Sequence, residues 1–336
     1  MTPKNDIIYD VVGIGNAIVD VLAKVGDGFL TERRLDKGAM TLLQAAEAGT
    51  IYADLIPERE VSGGSAANTV AAIASLGGTP AFIGKVHDDE LGQEFQRSIG
   101  AAGVDFFTKP LLQGPSTGRS IVLVTPDAER SMFTYLGAAQ KLSADDVDEN
   151  IIKSSKIIYL EGYIWDSESM LKACEIAHKY DRMIAFSLSD RCCIDRHRAD
   201  FQKLIHDHVD IIFGNEEEIK SLYEEEDFYK CLDRIKNEVE IAAITRSAKG
   251  SVIVNQRVKI FVEAEKVEDV VDTTGAGDLY AAGFLYGYTQ GRSLGTCAMI
   301  GGIAAAEIIS HYGARAEVSL RGFARNRLRA YGKSFS

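Results

Sequence analysis

The chain has 336 residues, 46% hydrophobic and 26% charged, which suits one large α/β domain with an embellishment, or two domains. Its formal net charge of −12 at pH 7 excludes a general nucleic-acid or membrane-surface binder, which needs a basic face. A phosphate-bearing ligand stays open, because a helix N-terminus, one arginine and magnesium can hold it.

Taken from the start, MTPKNDIIYDVV lacks the charged-then-apolar build of a secretory signal. No apolar run approaches the roughly 20 residues of a membrane span. Ile7–Ile14 reads as a strand. It enters Gly13-Ile14-Gly15-Asn16-Ala17-Ile18-Val19-Asp20, which mimics a dinucleotide phosphate loop. Ile18 stands where a third glycine is required, and Val21-Leu22-Ala23 continue as strand, so both context requirements fail. Ile18–Val25 and Ile51–Val61 alternate weakly. Ser62-Gly63-Gly64-Ser65-Ala66-Ala67-Asn68-Thr69 opens a small-residue helix, VAAIASLGG. Gly118–Tyr135 reads as a hairpin with Pro126-Asp127 at its turn.

Beyond it the rhythm changes. Ile157–Leu160, Met183–Ser187, Ile211–Phe213 and Ile241–Thr245 read as buried strands, and Ser167–Tyr180, Ala199–His208, Glu216–Tyr223 and Phe228–Asn237 as helices. That alternation predicts a doubly wound, mainly parallel sheet with helices on both faces. The strands without partner helices predict a small β lid over the carboxyl edge, where ligands bind in such folds. The expected core is 1–15, 61–112 and 141–336; the expected lid is 16–60 and 113–140.

Val271-Asp272-Thr273-Thr274-Gly275-Ala276-Gly277-Asp278 precedes a helical stretch, LYAAGFLYGYTQG. Gly275, Ala276 and Gly277 thus lie at a helix N-terminus, where backbone N–H groups lack partners and the helix dipole favours an anion. Asp278, one residue on, can accept a proton from a hydroxyl while those amides hold a moving phosphoryl group. The plainer alternative is a glycine turn with an aspartate as helix cap. At Gly63-Gly64 the chain can pass close to a substrate, with Ser65 and Asn68 offering hydrogen bonds on one face. There the alternative is Ser65 as helix cap.

Together, GGSAANTVAAIASLGG and DTTGAGDLYAAGFLYG resemble the two signatures of the ribokinase (PfkB) family, over nearly the whole chain from Gly13 to about Arg315. The resemblance implies a ribokinase-like fold and ATP-dependent phosphorylation of an alcohol group. Asn215-Glu216-Glu217-Glu218 resembles the family's N-x-x-E element, which implies that Asn215 meets the nucleotide phosphates and that Glu218 holds magnesium through water. A helix start rich in acids is the alternative. Thr245-Arg246-Ser247-Ala248-Lys249-Gly250 resembles the nucleotide loop, with Thr245, Ser247 and Gly250 as contacts and Arg246 a departure. Asp20, with Asn16 beside it, matches the aspartate that holds ribose hydroxyls. Glu129–Ala139 and Tyr159–Trp165 resemble the adenosine-kinase branch. That implies transition-state contact for Arg130, with a solvated hairpin arginine as the alternative, and offers Tyr163 or Trp165 to stack on a base. Potassium is a further candidate at Asp272 and Thr274.

Three motifs mislead. Gly332-Lys333-Ser334 ends like a P-loop, but Arg327 stands where glycine is needed. His206-Asp207-His208 has no third metal ligand in view, so solvated histidines are expected. Cys192-Cys193 with His197 is expected in a packed loop. The five cysteines, odd in number and without a CxxC pair, argue against a disulfide framework and for a reducing cytoplasm. The expectation is a nucleoside kinase, most readily for adenosine, using ATP and Mg2+, as a monomer or homodimer without nucleic-acid or membrane partners. A sugar kinase of the same family, or a nucleoside-binding regulator without turnover, is the alternative.

Overall fold

A computed structural model describes residues 7–38, 40–127, 129–165, 168–333 and 335. The first six residues, Ser167 at the expected start of a helix, and Ser334 of the P-loop mimic lie outside the described residues.

The strands are β1 (Tyr9–Ile14), β2 (Ile18–Lys24), β3 (Met40–Leu42), β4 (Arg59–Gly63), β5 (Pro80–Ile83), β6 (Asp105–Phe106), β7 (Gly118–Val124) and β8 (Arg130–Tyr135). They continue with β9 (Ser155–Glu161), β10 (Met183–Ser187), β11 (Ile211–Asn215), β12 (Ile241–Thr245), β13 (Ser251–Val254) and β14 (Lys259–Val262). Among the described residues the main sheet runs β14-β13-β12-β11-β10-β9-β1-β5-β6. Its pairings are parallel except at β12–β13 and β13–β14. Strand residues alternate between two cores. Val11, Ile157, Tyr159, Ala185 and Ile211 face one; Val12, Ile158, Leu160, Ile184 and Ile212 face the other. Apolar side chains on both faces are what a sheet covered by helices on both sides requires.

The smaller sheet runs β3-β8-β7-β2-β4. The β7–β8 pair is the expected hairpin, antiparallel from Arg119↔Tyr135 to Val124↔Arg130. Ile51–Val61 departs from expectation. Its first residues end a helix, Ala45–Ala53, and only Arg59 onward is strand. Gln44 and Glu47 form a capping box there, which satisfies the free N–H groups of the first turn. Cys192 and Cys193 lie in a helix, Arg191–His208, and not in a loop. Asp190 caps it by accepting from the Cys192 N–H at 2.6 Å. The helix is broken by a kink at His197 (φ −126°), and before it only Ile194 is fully buried, so its apolar periodicity reads clearly only from Ala199. His206 is exposed, but His208 is half-buried and stacks on His178, with ring centroids 5.0 Å apart.

Candidate active site

Two helix N-termini meet at the carboxyl edge of the main sheet. One helix, Ser65–Leu76, starts after Gly64. The other, Ala276–Thr289, starts after Gly275. Both start residues have positive φ, 101° and 80°, which an L side chain rarely adopts. At Gly64 a Cβ would also strike the Asn16 carbonyl, and at Gly275 it would press on Ala314 at 3.0 Å. Gly277 differs: a Cβ there would meet nothing within 4 Å. It lines the cavity, so close packing within the fold does not demand a glycine there.

Asp278 sits in the first turn of its helix, held by the other one. Its Oδ1 accepts from Ser65 Oγ at 2.6 Å and its Oδ2 from Asn68 Nδ2 at 3.1 Å. Thr69 Oγ1 donates to its backbone carbonyl at 3.2 Å. Ser65 is therefore no helix cap. Ser65 and Asn68, expected to face a substrate, each give a donor to Asp278. Asn68 Oδ1 is buried and has no partner among the described residues. Burial raises the Asp278 pKa to about 6, against the lowering effect of those two hydrogen bonds and of Arg315. A carboxylate so placed is ionised at neutral pH yet basic enough to take a proton. The expected cradle is narrower than three amides. The Ala276 N–H donates to the Thr273 carbonyl at 3.2 Å, which leaves Gly275 and Gly277.

A cavity of about 1040 Å3 runs between the sheets and along the main sheet's edge. Asp20, on β2, faces it. Gly63 lies directly under that carboxylate, where any Cβ would collide with it. Burial raises Asp20 to about 6, and Arg315, Arg130 and Arg59 only partly offset this. Asn16 is buried just before β2. Arg130, at the start of β8, is not a solvated hairpin arginine. Its side chain is 12% exposed and pairs with Asp272, and NH1 lies 3.4 Å from Thr274 Oγ1. Asp272 is saturated: it also accepts from Thr274 N and Oγ1 at 3.0 and 2.8 Å and from Gly313 N at 3.0 Å. Asp272 and Thr274, the potassium candidates, are thus both in contact with Arg130.

Asn215 and Glu218 line the far part of the cavity with Thr245, Ser247 and Gly250. They form a capping box: Asn215 N and Nδ2 donate to Glu218 at 2.9 and 2.6 Å, and Glu218 N donates back to Asn215 Oδ1 at 2.9 Å. Burial raises Glu218 to about 7. No His, Cys, Asp and Glu cluster among the described residues could grip a metal directly. That donor set fits a hydrated magnesium reached through water, not a protein cage. Arg246 turns away from the cavity, donating to Glu216 at 2.9 Å and lying 4.6 Å over the Phe228 ring. Tyr163 is at the cavity, and Trp165 is not; it packs edge-on against Phe201 at 5.7 Å.

Two residues escape the sequence reading. Arg315 donates to the Ser62 carbonyl at 2.6 Å and to the Ala67 carbonyl at 2.9 Å, between Asp20 and Asp278. Glu161 is fully buried at the end of β9. The available signal was a charge closing an apolar strand, SKIIYLE.

The profile of the pfkB family carbohydrate kinases matches residues 58–320. The crystal structure of adenosine kinase from Sinorhizobium meliloti superposes with a TM-score of 0.87 at 48% identity, over 95% of this chain and 99% of that one. A probable sugar kinase from Rhizobium etli CFN 42 does so with a TM-score of 0.87 at 44%, over 97% and 99%. The 5-dehydro-2-deoxygluconokinase of Halalkalibacterium halodurans is 26% identical over 320 residues, 90% of this chain and 89% of its own length. With a family match over most of its length and a carboxylate set at a glycine-opened helix mouth, the chain belongs to the pfkB family of carbohydrate kinases, enzymes that transfer a phosphoryl group to a hydroxyl.

Proposed function

We propose that the enzyme moves the γ-phosphoryl group of ATP to the 5′-hydroxyl of a nucleoside, adenosine before others. The observation that carries this reading is the smaller sheet's inner face. Ile18, Leu22, Val122 and Met132 line the cavity around Asp20. An aliphatic bed suits a flat base, and a carboxylate beside it suits the vicinal hydroxyls of a ribose. A hexose-sized acceptor would leave that bed unused. The 48% identity to an adenosine kinase supports the same reading.

In this mechanism Asn16 and Asp20 hold the acceptor sugar. Asp278 accepts the proton of the attacking hydroxyl, and Ser65 and Asn68 keep its oxygens aimed. The Gly275 and Gly277 amides and Arg130 meet the charge on the transferring group. Asn215, Thr245, Ser247 and Gly250 hold the nucleotide. Asn215 and Glu218 are the residues that would hold a hydrated Mg2+, whose chemistry is to neutralise phosphate charge. The smaller sheet acts as a lid that excludes water from the ATP. Asp272 serves Arg130, so turnover should depend only weakly on potassium.

A sugar acceptor is the second reading, favoured by the name of the Halalkalibacterium relative. ADP release measured with adenosine, inosine, ribose, fructose and 5-dehydro-2-deoxygluconate separates the two. Adenosine is expected to give the highest kcat/KM. A higher value for any free sugar overturns the nucleoside reading.

A further inference from the structure

One buried carboxylate has no place in the mechanism above. Glu161 is 0% exposed, and no cation pairs with it among the described residues. Its oxygens are divided between two distant segments. Oε1 accepts from the Asn16 N–H at 2.8 Å, and Oε2 accepts from the Ala66 N–H at 2.7 Å. Asn16 opens the arm that carries Asp20. Ala66 follows Ser65, which holds Asp278. Gly15 is bare for the same reason: a Cβ there would lie 2.5 Å from the Glu161 carboxyl carbon. Gly15 therefore serves close packing on this carboxylate, and Gly13 close packing on Val70 of the Ser65–Leu76 helix, where a Cβ would stand 2.6 Å from the Val70 side chain.

A helix start at the protein surface can be capped by a serine or aspartate of its own. Here the second amide of the helix is instead met by a charge from another strand, without a counter-ion. Burying such a charge is unfavourable, so it calls for a return in geometry.

We propose that Glu161 is a positioning residue: its carboxylate bolts the Asn16–Asp20 arm to the Ser65–Asp278 pair and so sets the distance between the acceptor hydroxyl and its base. The inference rests on the roles proposed above for Asp20 and Asp278. It does not involve the nucleotide half of the cavity, since neither bond reaches Asn215, Thr245 or Gly250.

Glu161→Gln keeps the shape but turns an N–H pair toward one of the two amide donors, so one bond must break. We expect kcat to fall about 100-fold, as misplacement by about 1 Å does, with a raised KM for the acceptor. ATP affinity, read by titration calorimetry, should stay within about twofold of the parent. A kcat within about threefold of the parent, or an ATP affinity that falls in step with kcat, overturns the proposal. Glu161→Asp keeps the charge and withdraws it by one methylene. Its kcat should also fall with ATP affinity retained; a parental kcat would mean that charge alone matters, and would overturn the proposal even if the glutamine variant fails to fold. Asp278→Asn separates the two levels. If it turns over normally, the base assignment fails whatever Glu161 does. If it is inactive while both Glu161 variants are normal, only the bolt is lost.

Discussion

Asp278 depends on partners that its own segment does not foretell. Ser65 and Asn68 lie 213 and 210 residues away along the chain. Both hydrogen bonds favour the ionised form and pull the pKa down, while burial pushes it up to about 6. Ser65→Ala removes one donor, so the carboxylate should titrate above its parental value. The acid limb of the pH–kcat profile should then move to higher pH, and kcat should drop by about tenfold. An acid limb that stays where it was would show that Ser65 does not tune the base. Asp278→Asn should lower kcat by about 100-fold or more, the scale of a lost general base, with ATP binding retained. These residues show where a sequence is legible. Gly275, Gly277 and Asp278 could be read because a helix start places its own amides and first-turn carboxylate together. Glu161 and Arg315 could not, because their partners come from other elements and only the fold supplies them. Arg246 belongs to the same class. Its break from the family pattern is answered by Glu216 and Phe228, on the helices that follow β11.

The helix that bears Asp278 is positioned by another helix with which it makes a very close crossing. A Cβ on Gly283 would stand 2.6 Å from the Gly301 amide, and a Cβ on Gly301 would stand 2.6 Å from the Tyr280 carbonyl. The backbones of Ala276–Thr289 and Leu294–Ile308 thus touch with no side chain between them. Gly283→Ala forces them apart. Overpacking of this kind typically costs about 1–3 kcal/mol, to be read as a lower midpoint in urea unfolding. Because the rigid helix carries the base at its mouth, kcat should fall as well, with KM for ATP less affected. A variant with parental stability would mean that the crossing has slack. The long apolar elements were legible because both faces of each central strand are buried, which leaves continuous runs of Ile, Val and Ala. Ile51–Ala53 belongs to the end of the short Ala45–Ala53 helix and not to the weakly alternating Ile51–Val61 run; the capping box at Gln44 and Glu47 is the signal for that helix. The first turns of the Arg191–His208 helix are hard to read because they bury only Ile194, whereas Phe201, Leu204 and Ile205 mark the apolar face beyond the kink at His197.

Across the whole molecule, three carboxylates with raised pKa values, Asp20, Asp278 and Glu218, line one cavity. Glu161 is buried on the Asn16 and Ala66 N–H groups, and Asp210, raised by burial as well, lies away from the cavity. Asp20 and Asp278 stand at about 6, and Glu161 and Glu218 at about 7. Burial is the largest cause in each case, and a mutual repulsion with Asp278 adds to it for Asp20 and Glu161. The consequence for stability has a definite sign. In the unfolded chain these groups titrate near about 4. Between about pH 4 and 7 the folded chain therefore holds protons that the unfolded chain has released. Stability must then fall as pH rises through that window, and the loss is complete above the folded pKa values. The net charge of −12 at pH 7 acts in the same direction, because self-repulsion grows as each carboxyl ionises. Exposed acids such as Asp127 and Glu149 are shifted the other way by lysine partners, but such pairs are screened by solvent and contribute little. The ligand-free enzyme should accordingly unfold at a higher temperature at about pH 5.5 than at about pH 7.5, the difference amounting to a few kcal/mol at most. Asp278→Asn should flatten the dependence, since it removes one of the groups concerned. Scanning calorimetry across that range decides the matter. A melting temperature that climbs steadily over the same interval would mean that these carboxylates are better solvated, or better paired, than their burial implies.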